Sequence, residues 1–335
     1  MAKRNEASLL VLVAMAVVVF LSVQVKSAVA AGSYTTAMQE AVRNEMKVPR
    51  DVLPGFIRLL FHDCFVNGCD ASVLLESSRM NGPNEKTEMT STFNGGLRDL
   101  QVIQNIKNNL WDKYGITCTD AVIYAAREAV YLLSNGEIAY NVDGPGRMDG
   151  VISRSGDPEK YLPTPSSDFV VLVKKFTDKV VFTEKDVVAL SGAHAVGVAH
   201  RMNAIGAVDP TADTPKPYKT AIVQEMGTKD VVKNNVRDFG EGPLTTSGYK
   251  DNNKVNMSAK GVLDNSFYNA VLQKMALFPS DRVLGVNAVT KVREYMNNAD
   301  TWNSDFGSAM EKLSKLPATS DPANIEIRKV CSKTN

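Results

Sequence analysis

The sequence predicts a mainly α protein, on three observations. Helix-start signatures recur along the chain, apolar residues return at helical spacing behind them, and strand-like alternation is scarce. No internal repeat and no low-complexity tract interrupts the 335 residues. The first element is not part of the fold. Residues 1–8 carry Lys3 and Arg4, residues 9–23 are an unbroken apolar run, and Ala28-Val29-Ala30 offers a small-x-small cleavage site. This is the pattern of a secretory signal peptide over residues 1–30, with an apolar run too short for a membrane anchor. Cleavage leaves about 305 residues, enough for one large domain or two packed lobes. No later segment is apolar enough to span a bilayer, and a formal net charge of +1 gives a nucleic-acid role no electrostatic support.

The remaining elements follow in chain order. Thr36-x-x-Gln39 reads as a capping box before AVRNEM. Arg58, Phe61 and His62 stand at i, i+3 and i+4, one face of a helix. Thr117-x-x-Asp120 opens DAVIYAAREAVYLL. Asp168 caps a helix with Phe169, Leu172, Val173 and Phe176 on one stripe. Thr183-x-x-Asp186 opens DVVALSGAHAVG. Residues 76–96 and 203–255 read as long loops, which in a compact protein are functional or tied down by something else.

Scarce chemistry crowds into residues 58–72, RLLFHDCFVNGCDAS, in a chain with only three histidines and four cysteines. On its helix face a neutral His62 can act as a general base and Arg58 can stabilise an anion, although an isolated Arg/His pair is more often structural. Asp63, Asp70 and Ser72 supply side-chain oxygens, and the turn through Val66, Asn67 and Gly68 exposes carbonyls. Hard oxygens this close together suit Ca²⁺. Export permits disulfides, and four cysteines allow three pairings. Cys64 and Cys69 are near enough to close a small loop; Cys118 and Cys331 would then tie the middle of the chain to its end.

RLLFHDCFVNGCDASVLL closely resembles the distal haem motif of the secretory plant haem peroxidases (class III). DVVALSGAHAVG (186–197) resembles their proximal haem-ligand segment, and CTDAVIYAAREAV (118–130) and LDNSFYNAVLQKMALFPSDRVL (263–284) resemble two further motifs, all in family order. The resemblance implies a haem-peroxidase fold over residues 31–335. A distal helical lobe (about 31–165) and a proximal one (about 166–335) would enclose haem b. It also implies roles by position. His62 is the distal base, Arg58 its charged partner and Phe61 a cover over the distal haem. His194 is the axial iron ligand and Asp281 the acid that accepts its other N–H. Asp63, Val66, Gly68, Asp70 and Ser72 match the distal calcium ligands, Asp120 and Arg147 a buried ion pair, and Pro163 the substrate mouth. His200 falls where a haem-propionate neighbour is common. Asn94 is the candidate for the asparagine that orients the distal His, in a loop (85–98) longer than the family's.

The chain also departs from that pattern. The family usually has eight cysteines; here the survivors correspond to two whole pairs, 64–69 and 118–331. At the proximal calcium site Ala195 replaces a threonine, and counting back from Asp264 puts Asn256 and Ala259 at two more ligand positions. A calcium is therefore expected on the distal side, with little or none on the proximal side. Val255 stands where an aromatic usually packs on the proximal His, and Asn256-Met257-Ser258 is the sole glycosylation sequon.

The function so implied is a secreted haem peroxidase, a donor:hydrogen-peroxide oxidoreductase. It reduces H₂O₂ and takes single electrons from phenols or other small aromatic donors. The expected protein is a monomer without nucleic-acid or membrane partners, delivered to the extracellular space or cell wall rather than the vacuole. One rival is a secreted haem-binding protein with weak or specialised turnover, favoured by Val255, the lost proximal ligands and a distal asparagine that the longer loop 85–98 leaves open. A secreted hydrolase is the other, and it lacks a nucleophile beside His62 or His194.

Overall fold

The computed structural model describes residues 35–78, 86–200, 213–228, 231–233, 261–319 and 321–335. The expected signal peptide, the sequon and the positions Val255, Asn256 and Ala259 lie outside the described residues. The fold is mainly helical, with short strands only, as the capping signals and missing alternation predict.

Helix α1 covers residues 35–45, so Thr36 sits inside it; the chain is already helical at residue 35 and Thr36 is no cap. Helix α2, Pro54–Asn67, begins with a proline in its first turn, where the missing N–H is not needed. Phe56, Leu59, Leu60 and Phe65 on α2 are fully buried, and the helix packs across α4, Cys118–Leu133. Truncating Leu59 or Leu60 to Ala would cost about 2–5 kcal/mol. The α4 face carries Ala121, Ala125 and Ala129, all fully buried, whose small side chains let the two helices approach closely. Helix α4 opens with the expected capping box of Thr117 and Asp120, and α3, Leu100–Tyr114, lies against it.

Strand β1, Asp149–Gly150, leads through α5, Asp157–Tyr161, to α6, Phe169–Thr177. The Asp168 side chain accepts from the Val171 N–H as the N-cap of α6, and Leu172 and Phe176 are buried. Helix α7, Glu184–Ser191, opens on the Thr183/Asp186 capping box and gives way to a 3₁₀ turn, Gly192–Ala195. Strand β2, Val198–His200, pairs antiparallel with β3, Val231–Lys233.

The expectation of a structureless loop over 203–255 is corrected by helix α8, Lys216–Thr228. Tyr218, Ile222 and Met226 recur every fourth residue and bury against Ala199, Met275, Leu277 and Phe278. Scattered Pro, Gly and charge hid that stripe. The loop 76–96 likewise holds two 3₁₀ turns, Glu88–Thr90 and Thr92–Asn94.

The C-terminal half adds α9 (Ser266–Leu272), α10 (Pro279–Arg282), α11 (Leu284–Asn287), α12 (Val289–Asn297) and α13 (Ala299–Ser314). The chain then turns back. Strand β4, Ile325–Glu326, pairs antiparallel with β1, and Cys331 is bonded to Cys118. Arg328, fully buried, donates to the carbonyls of Ala71 and Cys331. The last residues thus clasp the half of the molecule that carries α2. Among the described residues, no helix is long and apolar enough to cross a membrane.

Candidate active site

Helix α2 carries Arg58, Phe61, His62 and Asp63 toward one region, and the 3₁₀ turns after it bring Asn94 beside His62. His62 Nδ1 lies 2.6 Å from Asn94 Oδ1, and both side chains are buried. Asn94 Nδ2 donates to the Glu88 carbonyl at 2.8 Å, so the amide is held from behind and presents its oxygen to the imidazole. That arrangement places the proton on Nδ1 and leaves the lone pair on Nε2. Burial, then the Arg58 charge, pushes His62 down to about 3, although the Asn94 hydrogen bond opposes them. Its imidazole is therefore neutral at ordinary pH. Arg58 Nη2 donates to the Phe93 carbonyl at 2.9 Å; burial and the nearby Arg98 lower its guanidinium to about 10, still charged at neutral pH.

Phe61 stacks on Phe65 at 4.7 Å, and Phe65 meets Phe176 at 4.6 Å, so the distal helix face is braced by α6. Pro163 is half-buried in the loop between α5 and α6. His200, on β2, lies over the loop after Asn94. Gly96 there has φ +81°, and a Cβ on it would come 2.3 Å from His200 Nε2. Glycine is required by both conformation and space.

Below His62 the loop closes through the Cys64–Cys69 disulfide. Gly68 has φ +81°, and a Cβ on it would overlap the Pro317 carbonyl at 1.9 Å. The segment after α13 holds this loop: Cys69 N donates to Leu316 O and Thr319 N to Asn67 O. Asp63 Oδ2 accepts from Ala71 N at 3.0 Å and Asp70 Oδ1 from Ser72 N at 2.9 Å. Asp63 Oδ1 and Ser72 Oγ are buried and make no well-formed hydrogen bond among the described residues, although the Val73 N–H and the Glu88 carboxyl stand near them. Burial, then the Asp70 charge, pushes the Asp63 carboxyl well above its usual range.

Buried oxygens without donors are what a hard cation would complete. Among the described residues no three His, Cys, Asp or Glu side chains gather to hold a metal. Such a cation would therefore rely on carbonyl and hydroxyl oxygens beside two carboxylates. The Val66 carbonyl already accepts from Lys179 Nζ at 3.0 Å and keeps a second lone pair.

Glu88 is the site residue that sequence reasoning missed. Its carbonyl anchors Asn94, and its fully buried carboxyl is pushed up by burial and then by the charges of Asp70 and Asp63. It thus links the oxygen cluster to the amide that holds His62. No local motif marks it; only the fold brings it there.

On the opposite side, His194 sits in the 3₁₀ turn after α7. Its Nδ1 is 2.9 Å from Asp281 Oδ1 and 3.1 Å from Oδ2, and its ring meets Phe278 at 5.1 Å and Phe267 at 6.1 Å. Burial works against protonation, but the Asp281 charge and hydrogen bond outweigh it and raise His194 above its ordinary value. Asp281 is buried, while 41 % of the His194 side chain remains uncovered. An imidazole anchored through Nδ1 with an open Nε2 flank fits a metal ligand. Arg58 is close enough for its charge to oppose protonation of His194, so the two sides face each other. Ala195 is fully buried, and Asp264 Oδ1 accepts from Ser266 N. Arg147 Nη1 and Asp120 Oδ1 pair at 2.9 Å, with Asp120 buried.

Comparison with known proteins agrees with this geometry. The peroxidase family model matches residues 38–298. The chain is similar to Peroxidase 5 of Vitis vinifera, 31 % identical with 94 % of each chain covered. It is likewise similar to Peroxidase 2 of Oryza sativa subsp. japonica, 30 % identical with 100 % of each covered, and to Peroxidase 2 of Zea mays, 31 % identical with 83 % and 79 % covered. A family match across most of the chain, with two imidazoles each fixed through Nδ1, leads to one conclusion: this protein belongs to the peroxidase family and is a peroxidase of the class III plant type.

Proposed function

We propose that a b-type haem would be held between the His62 and His194 sides, by His194 through its Nε2, with Asp281 as the acceptor of the other N–H. The observation that carries this is the paired anchoring: both histidines are fixed through Nδ1, one by an amide and one by a carboxylate, which leaves both Nε2 atoms free for chemistry. Haem supplies the redox chemistry of peroxide reduction and one-electron donor oxidation. The chain supplies proton control. His62 Nε2 takes a proton from one oxygen of H₂O₂ and returns it to the other, which leaves as water. Arg58 stabilises the charge that develops on the leaving oxygen. Phe61 covers the distal face. Small aromatic donors, phenols above all, approach by the Pro163 loop. Each turnover reduces one H₂O₂ to two waters with two electrons and two protons from two donors.

Asp63, Val66, Gly68, Asp70 and Ser72 would hold one Ca²⁺, which keeps the His62 helix in register. The proximal side, where Ala195 offers a methyl and Asp264 caps Ser266, would hold none. The leader-like N-terminus and two disulfides support secretion to the extracellular space or wall. The two lobes divide near residue 165, and the C-terminal segment returns to the distal one. The reading of weak turnover loses one support with Asn94 at bonding distance from His62.

Two measurements test the proposal. The purified protein should show a Soret band that shifts on adding H₂O₂ and returns with a phenol; a colourless protein would refute it. Metal analysis after dialysis against calcium-free buffer should give one Ca²⁺ per chain, lost in the Asp63→Ala, Asp70→Ala double variant. Two equivalents would restore the proximal site.

A further inference from the structure

Aromatic rings run outward from His194 through α9 to α12. His194 meets Phe267 at 6.1 Å, Phe267 meets Tyr268 at 5.2 Å, and Tyr268 meets Tyr295 on α12 at 5.1 Å. Trp302 on α13 stands 6.0 Å from Tyr268 as a side branch. The ladder is packed directly on the turn that carries His194: a Cβ on Gly192 would come 2.7 Å from both the Tyr268 hydroxyl and Trp302 Nε1. Tyr268, Tyr295 and Trp302 are fully buried.

Three of these rings can give up an electron, and their hydrogen-bond partners distinguish them. The Tyr268 hydroxyl donates to the carbonyls of Val188 and Ala189, and Trp302 Nε1 donates to Ala189 O. A peptide carbonyl is not a base. Loss of an electron at either ring would leave a buried cation, which is costly in a low-dielectric interior. The Tyr295 hydroxyl instead donates to Asp305 Oδ2 at 2.9 Å. A carboxylate can take the proton. Asp305 reaches the surface, where its Oδ1 accepts from Lys185 Nζ at 2.7 Å, so the proton has a way out.

We propose that Tyr295 is a protein-based redox site of this peroxidase, with Asp305 as its proton acceptor and Tyr268 and Phe267 as the path toward His194. The step balances. One of the two electrons that reduce H₂O₂ to two waters comes from Tyr295, whose O–H bond breaks, and the other would come from the haem; the proton passes to Asp305 and a neutral tyrosyl radical remains. A donor phenol oxidised at the Pro163 side later returns the electron along the same rings, and Asp305 returns the proton. The site would hold an oxidising equivalent when donors are scarce. Burial keeps it from bulk reductants, which are served at the Pro163 side. The inference rests on the peroxidase reading and adds to it.

Rapid-freeze electron paramagnetic resonance tests it, on the haem-loaded protein mixed with one equivalent of H₂O₂ and no donor, with the Soret band followed in the same sample. The wild type should give a tyrosyl spectrum whose splitting changes when ring-deuterated tyrosine is incorporated. Tyr295→Phe should lower the tyrosyl yield at least tenfold while the Soret response is kept. Asp305→Asn, which leaves the ring in place, should lower it as well. A wild-type tyrosyl yield in Tyr295→Phe, or a shifted Soret with no tyrosyl signal in the parent, overturns the proposal. A Soret band unmoved by H₂O₂ overturns the peroxidase reading and the proposal with it.

Discussion

His62 and His194 are the same side chain, anchored through the same nitrogen, and their environments drive them apart. Asn94 gives His62 a neutral acceptor, and burial beside Arg58 carries it down to about 3. Asp281 gives His194 a charged acceptor, which outweighs burial and raises it. One imidazole is kept unprotonated, as the proposed base must be; the other is made easier to protonate, as suits the proposed ligand. The surroundings differ in the same sense. The distal side is a polar lattice of Asp63, Asp70, Ser72 and Glu88, while the proximal side is aromatic, with Phe267, Phe278, Tyr268 and Trp302. A side chain's partner, more than its type, decides its task.

The largest break in the comparison comes from removing His62, the proposed base. His62→Leu should slow the reaction with H₂O₂ about 10²–10⁴-fold, the range for general acid–base catalysis, as read by rapid mixing. In the parent, the rate should hold level as pH falls until about 3, where His62 takes up a proton. On the other side, Asp281→Asn keeps an acceptor near His194 Nδ1 and removes only the charge. Haem affinity, from a competition titration, should fall about 10–100-fold, the usual cost of losing such a partner. The haem reduction potential should rise as the ligand donates less. An unchanged potential would show that the carboxylate only orients the ring.

Exchanging the kind of partner sharpens the contrast at smaller cost. Asn94→Asp gives His62 what His194 has. Its imidazole should become easier to protonate, and the acid limb of the H₂O₂ reaction should move up by about one pH unit or more, one unit being about 1.4 kcal/mol. A limb still at about 3 would mean that burial alone sets His62.

What the sequence showed of all this depends on distance along the chain. Arg58, His62, Asp63 and Asp70 fall within one helix and its turn, so their spacing reveals them. The Thr117/Asp120 and Thr183/Asp186 boxes are equally local, and both form. Glu88 and Arg328 could not be read, because their meaning lies in bonds to a peptide carbonyl, that of Glu88 to the Asn94 amide and that of Ala71 to the Arg328 guanidinium, which only the fold supplies. Helix α8 was legible in principle through Tyr218, Ile222 and Met226, but its stripe is thin, and polar surroundings outweighed it. The ladder ending at Tyr295 needed three separate helices to be packed first.

The smallest prediction concerns backbone conformation, where the halves also differ. Asp99, which precedes α3, and Val180, in the turn after α6, both adopt left-handed backbone, at φ +60° and +63°. Aspartate tolerates that region; a β-branched residue there is an outlier. Left-handed backbone costs an L-residue roughly 1–2 kcal/mol, and glycine gives back about 0.5–1 kcal/mol of that in chain entropy. Val180 is 88 % exposed, so its side chain contributes little packing. Its N–H donates to the Thr177 carbonyl, and Lys179 beside it reaches the Val66 carbonyl, so the turn is held in place despite the strain. Val180→Gly should therefore stabilise the protein by about 0.5–1 kcal/mol in urea unfolding, and Asp99→Gly by less. If both glycines give the same change, the side chain at 180 carries no special strain, and the two turns are equivalent.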